Sequence, residues 1–263
     1  MTITKNHIIK LIKQNVRLDG RKNDEYRKPI TVELGVTEGA EGSARVIIGD
    51  TEVVVGVKME IMSPYPDSPD QGTIMVGAEL IPFASPDYES GPPSIKAIEL
   101  ARVIDRGVRE SKCLDFKSMC IKSGEKVWVC AIDIIPINAA GNMFDAGAIG
   151  ALAALMDTRL PALEEKDGMY KINYEGERTE KIKLNNQPIS CTVLKIGDNF
   201  VVDPLPEEEE IYDARLTVAV DESGDICAMQ KGGDHALSAD EIMKMVELAS
   251  KKCGELRKFL PKK

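Results

Sequence analysis

The stretch IDIIPINAAGNMFDAGAIGALAALMDTRL, Ile132 to Leu160, decides how the rest of the chain is read. It begins inside an apolar segment, Val127 to Ile137, that predicts a mostly buried strand, and it ends in an Ala/Leu run that is apolar nearly all round. A helix without a polar face has nothing to show to water, so it has to lie at the centre of the fold. The small residues between strand and helix allow a tight turn with close packing of the two.

Working upstream, Ala44 to Ile48 and Glu52 to Ile61 are rich in Val and Ile and flank the turn GDT, where Gly49 and Asp50 suit a hairpin reversal. Pro29 to Leu34 precedes them as an extended segment, and Thr73 to Phe83 resumes as a strand beyond the proline-rich loop SPYPDSPDQG. Ser94 follows a second proline-rich loop and suits the N-cap of a helix running to about Ser111. Downstream, a polar excursion from Glu164 to Lys183 leads to two hairpins. The first joins Pro188–Ile196 to Phe200–Asp203, and the second joins Arg215–Asp221 to Asp225–Gln230. Ser238 then opens a last helix with a capping box to Glu241. Strand clusters followed by helices, twice over, predict an α+β protein with mixed sheets and helices packed on one face. Lys5 to Ile12 reads as a short helix that opens a basic arm, residues 1–28, ahead of a main domain, 29–263, whose second lobe starts near 188.

Composition narrows the classes. The chain has 263 residues, 43% hydrophobic and 29% charged, which excludes disorder and leaves room for a full core. No uncharged apolar run approaches the roughly 18 residues of a membrane span, and the N-terminus interleaves lysines with isoleucines. A soluble cytoplasmic protein with no membrane contact is expected. Six dispersed cysteines without a CxxC pair, and only two histidines, predict buried reduced thiols and no metal site. Net charge is −9, yet residues 1–28 carry eight Lys/Arg against three acids and residues 251–263 carry six against one. A polyanion partner therefore has to be met by local arginines, by the termini or through a basic neighbour.

Few residues offer chemistry. The turn NAAGN lacks the phosphate-binding glycine spacings and has no following Lys, Arg or Ser, so it reads as a packing turn. Glu207 to Glu210 and Asp213 read as a solvated acidic run. No GxSxG, HExxH or Cys/His pairing is present, and no cofactor is expected. The helix after Ser94 places Arg102, Arg106 and Arg109 along one stripe. Two readings stay open: neutralisation by Glu99, Asp105 and Glu110 one turn away, or joint contact of Arg102 and Arg106 with a phosphate backbone.

The order of motifs resembles the RNase PH family. It is carried by VRLDGRKNDEYRKPITVELGVTEGAEGSARVIIGDTEVVVGVKMEI (Val16–Ile61), ELARVIDRGVRES (Glu99–Ser111) and IDIIPINAAGNMFDAGAIGALAAL (Ile132–Leu155). Within the family, NAAGNMFDA and DPLPEEEE look like the non-catalytic ring subunit of the archaeal exosome. Active members carry a GGTRS-like turn that holds inorganic phosphate, where this chain has Ala139 to Met143. They also carry two aspartates six residues apart, which match Glu209 and Arg215 here. The resemblance thus implies an RNase PH fold with no catalytic residue of its own. It implies a ring of three heterodimers with a catalytic RNase PH-like partner, cap subunits with RNA-binding folds of the S1 and KH types, and single-stranded RNA held by Arg102 and Arg106. The alternatives are an autonomous phosphate-dependent 3′ exoribonuclease using Asp203, Glu209 or Asp213, and a small-molecule kinase.

Overall fold

The computed structural model describes residues 2–166, 168–174, 176–178 and 180–261, so that Met1, Lys262 and Lys263 at the two basic ends lie outside the described residues. The first sheet comprises β1 (Ile30–Leu34), β2 (Gly42–Ile48), β3 (Thr51–Met62), β4 (Thr73–Ala78), β5 (Cys120–Lys122) and β6 (Lys126–Asn138). Its order is β1-β2-β3-β6-β4, with β5 also on β6. Only β4 runs parallel to its neighbour β6, and the other pairs are antiparallel. A two-stranded ribbon follows, β7 (Ala162–Lys166) and β8 (Met169–Asn173). The second sheet comprises β9 (Ile189–Ile196), β10 (Asn199–Val202), β11 (Ala214–Val220) and β12 (Ile226–Gly232) in the antiparallel order β10-β9-β11-β12.

Among the described residues five α-helices complete the α+β architecture: α1 (Thr2–Lys13), α2 (Ile95–Glu110), α3 (Met143–Asp157), the single turn α4 (Pro206–Glu209) and α5 (Ala239–Leu256). The apolar run beginning at Met143 is the central helix, as its composition requires. From Met143 to Leu155 every residue but Phe144 is buried, and α3 lies between the sheets, against β2 and β3 of the first and β9 of the second. Along β3, buried Val53, Val55, Val57 and Met59 alternate with half-buried Val54, Gly56 and Lys58, the two-residue period of a strand covered by helix on one face. Close approach depends on Gly150, because a Cβ there would sit 2.6 Å from Val55 Cγ2. Each buried side chain such as Ile149 or Leu152 contributes about 1.5–3 kcal/mol by leaving water.

The caps behave as the sequence reading expects. Ser94 Oγ accepts the Ala97 amide at 3.2 Å, and Ser238 and Glu241 form the reciprocal capping box of α5. Helix α2 packs on β4, α3 and β12, while α5 packs on β9 and β11. The N-terminal helix does not stand apart. Ile8 and Ile12 of α1 are buried with Leu194, Ile196 and Val201, which ties the arm to the second sheet.

Several segments differ from the sequence reading, two of them in the strands. The polar excursion contains the β7–β8 ribbon, whose Glu164, Glu165 and Lys166 are exposed. Backbone pairing, not hydrophobic alternation, makes that ribbon. The strand expected to reach Phe83 stops at Ala78, since a turn closed by the Ala84 amide on the Ile81 carbonyl (3.0 Å) turns the chain away and leaves Phe83 79% exposed.

Candidate functional site

The turn between β6 and α3 is fastened from both sides. Gly141 (φ +91°) and Asn142 (φ +54°) reverse the chain, and a Cβ on Gly141 would lie 2.4 Å from the Pro204 carbonyl oxygen, so only glycine fits there. Arg27 donates to the carbonyl oxygens of Ala140 and Gly141, and Thr51 Oγ1 donates to the Gly141 carbonyl at 2.6 Å. The Asn142 amide, at the head of α3, donates to Glu209 Oε1 at 2.8 Å. A helix N-terminus favours an anion. Here the chain's own carboxylate is that anion. Burial pushes the Glu209 carboxyl above its ordinary range, opposed by the Asn142 amide and by the charges of Arg27, Arg215 and Lys96.

Behind the turn lies a buried ionic cluster. Asp203 is fully buried in a left-handed conformation (φ +46°) and accepts the Arg27 amide at 2.6 Å, the Arg27 guanidinium at 2.8 and 3.0 Å, Arg21 at 3.0 Å and Asn142 Nδ2 at 3.0 Å. Arg17 is equally buried. It forms a bidentate pair with Glu208, with Nε to Oε1 at 2.9 Å, and donates to the carbonyls of Val202 (2.7 Å) and Asp203 (2.8 Å). The basic arm therefore buries Arg17 and Arg27, while Arg21 lies half-buried between Asp19 and Asp203. Beside this cluster, fully buried Asp145 accepts Tyr26 Oη at 2.6 Å and Asn142 Nδ2 at 3.1 Å. Burial pushes its carboxyl up to about 7, with the neighbouring charge of Asp203 acting the same way and the hydrogen bonds of Tyr26, Thr192 and Asn142 opposing.

The acidic run was expected to be solvated, and half of it is not. Glu207 and Glu210 are exposed, whereas Glu208 is buried on Arg17 and Glu209 is partly buried on the α3 turn. The short helix α4 makes the difference: it turns consecutive carboxylates to different neighbours instead of leaving all of them in water. Asp213 is occupied as well, accepting the Gly197 amide at 2.7 Å. Arg215, which the resemblance sets against the second aspartate, pairs with Glu99 at 2.6 Å and stacks on the Phe144 ring at 4.0 Å. Among the described residues no group of three or more His, Cys, Asp or Glu could hold a metal.

On α2 the arginine stripe divides. Arg109 follows the neutralised reading, donating to Asp105 at 2.7 and 3.0 Å and to the Ile74 carbonyl at 3.0 Å. Arg102 and Arg106 are exposed on the same groove wall, and neither forms an ion pair or hydrogen bond within the described residues. Glu99 does not serve Arg102, because Arg215 holds it from 116 positions away. The sequence reading missed Arg17, Arg27 and Glu208. The only signal for them is the density of arginines in VRLDGRKNDEYR beside a PEEEE run, and their pairing needs the fold.

Comparisons with known proteins place the chain in a family. Residues 26–161 match the model of the 3′ exoribonuclease family, domain 1, and residues 186–252 match that of its domain 2. The chain is 45% identical over 260 residues to exosome complex component Rrp42 of Methanothermobacter thermautotrophicus, covering 99% of this chain and 95% of that one. It is 46% identical to Rrp42 of Pyrococcus furiosus, covering 98% and 92%. Among solved structures it superposes on a chain of the Archaeoglobus fulgidus exosome with RNA bound to the active site, with a TM-score of 0.88 at 41% identity and coverage of 98% and 97%. It also superposes on a chain of an archaeal exosome core, with a TM-score of 0.84 at 39% identity and coverage of 98% and 96%.

Proposed function

The chain belongs to the RNase PH family of 3′ exoribonucleases, and from that membership we propose that it is a ring subunit of an RNA-degrading exosome that performs no chemistry itself. The observation that carries this reading is the hydrogen bond from the Asn142 amide to Glu209. The family resemblance implies that an active member holds the attacking phosphate on this turn with its backbone and with a cation and a hydroxyl. Here a fixed carboxylate sits on that amide, repels a phosphate, and no Lys, Arg or Ser stands in the turn Ala139–Met143. The second acid of the family pattern is Arg215, already neutralised by Glu99.

The subunit's contribution is shape and charge. It sits beside a catalytic RNase PH-like sibling, three copies of each closing a cytoplasmic hexameric ring under S1- or KH-type cap subunits. Arg102 and Arg106 are exposed and uncommitted one helical turn apart, and they supply positive charge to the RNA backbone, while Arg109 keeps its structural partner. The arm, residues 1–28, and the lobe beginning near 188 act as one piece, since Arg17 and α1 are buried against the second sheet. Native mass measurement after co-expression with a sibling that retains the phosphate-binding turn tests this assignment. A mass of three heterodimers is expected, and failure of the two chains to associate contradicts it.

A further inference from the structure

The first sheet has a face on which no helix packs. Helices α2 and α3 meet the side that carries Val53, Val55 and Val57, and the alternation along β3 turns Val54, Gly56, Lys58 and Glu60 the other way. On that open face, in β6, Asp133 is paired in register with Gly56 of β3 on one side and Gly77 of β4 on the other. Aspartate and glycine are among the poorest strand formers, so a row of three in mid-sheet needs a reason. The fold does not supply it. Neither glycine has a positive φ, and a Cβ at Gly56 would meet Ala40 Cβ at 3.7 Å, an ordinary contact. A Cβ at Gly77 would press on Asp133 Oδ1 at 3.1 Å, so that glycine keeps the carboxylate clear. Asp133 is exposed and has no hydrogen bond or ion pair among the described residues. Partial burial, and then the like charges of Glu79 and Glu60, push its carboxyl above its ordinary range. Lys58, two residues along β3 from Gly56, does not relieve it, because Glu41 holds that ammonium at 3.0 Å. The row is an unanswered carboxylate beside bare backbone.

We propose that this row seats an arginine of the catalytic sibling, its guanidinium filling the space left over Gly56 and forming a bidentate pair with Asp133. The charge of the site calls for a cation, and the missing side chain at Gly56 calls for a flat one that can approach backbone closely. A guanidinium is planar and presents two parallel donors to a carboxylate, which a lysine ammonium cannot do. The choice of partner rests on the ring-subunit reading. β4 is the last strand of the sheet and packs against α2, whose Arg102 and Arg106 reach toward RNA that the sibling degrades. A sibling seated against α2 therefore meets the β4 edge and the open face beyond it. Val54 and Ile135, paired one row away on the same face, give that contact an apolar flank.

The test is carbodiimide labelling of carboxyl groups, read by peptide mass spectrometry, on the purified full chain and on its assembly with the sibling. Asp133 is expected to label in the free chain and to lose that labelling in the assembly. Asp133→Asn should raise the concentration at which the assembly dissociates by about tenfold, as followed by mass photometry on dilution. Gly56→Ala should raise it by about threefold while leaving the unfolding midpoint of the free chain at or above the wild-type value, since alanine costs a strand less than glycine. An assembly in which Asp133 labels as in the free chain, or in which either variant dissociates at the wild-type concentration, overturns the proposal and leaves the ring reading standing. A lowered midpoint in Gly56→Ala overturns it as well, because the glycine then serves the fold. Failure of the two chains to associate at all overturns both.

Discussion

Glu209 Oε1 accepts the backbone amide of Asn142 at 2.8 Å, so the head of the central helix is capped by a carboxylate of its own chain, 67 residues further on. Removing that carboxylate opens the place without equipping it. Glu209→Ala is expected to leave the isolated chain without phosphorolytic activity, because the turn Ala139–Met143 still has no Lys, Arg or Ser and, on the proposed reading, Arg215 stands in place of the second acid. Nucleoside diphosphate release from a tailed RNA in phosphate buffer checks this. Activity in the variant would mean that Glu209 alone keeps the chain inert.

The uncommitted arginines of α2 give a second expectation. Arg102→Ala with Arg106→Ala should weaken RNA binding by the assembled complex, with the salt slope falling by about one per lost phosphate contact, and leave the assembly's mass unchanged. Titration of labelled RNA at several salt concentrations reads both. Arg109→Ala, by contrast, should act on stability, since it frees Asp105 and the Ile74 carbonyl.

Arg17 is the residue whose loss should cost most. With both side chains fully buried, Arg17→Met leaves Glu208 without its partner and two carbonyls without donors, a change expected to destabilise by about 3–5 kcal/mol. Denaturant unfolding measures it. The double change Arg17→Met with Glu208→Met should recover most of the loss, because the isolated buried charge goes with it.

Asp145 sets a pH dependence. Its carboxyl is raised by burial from 3.8 to about 7 in the folded chain, so below about 4 it is protonated in both states and makes no difference. Between about 4 and about 7 the unfolded chain releases a proton that the folded chain retains, and stability falls as pH rises; above about 7 both forms are ionised and the loss is constant. The loss is on the order of a few kcal/mol. Asp145→Asn should flatten this fall, as read from unfolding midpoints at pH 5 and pH 7.5.

Much of the architecture is legible in the sequence because it follows from local rules. The all-apolar run starting at Met143 could be nothing but a central helix, Ser94 and Ser238 mark helix starts with their own side chains, and the Gly49 and Asp50 hairpin carries its own turn chemistry. What the sequence hides is long-range. The Arg17–Glu208 pair spans 191 positions, and nothing local distinguishes Glu208 and Glu209 from the exposed Glu207 and Glu210. On α2, the i,i+4 rule describes Arg109 correctly and fails for Glu99, because the buried and desolvated Arg215 holds that carboxylate more strongly than an exposed helical neighbour would. The β7–β8 ribbon escapes for the opposite reason: its pairing is of backbone, and its charged side chains carry no period.

The most direct measurement is phosphorolysis by defined components. The purified chain, its catalytic sibling and the reconstituted pair are each incubated with a 3′-tailed RNA and inorganic phosphate, and nucleoside diphosphates are counted. The account predicts no release by this chain at any phosphate concentration, and release by the pair that is abolished when the sibling's phosphate-binding turn is mutated and unaffected by Glu209→Gln here. Release by this chain alone, or by a pair whose sibling has been disabled, would contradict it.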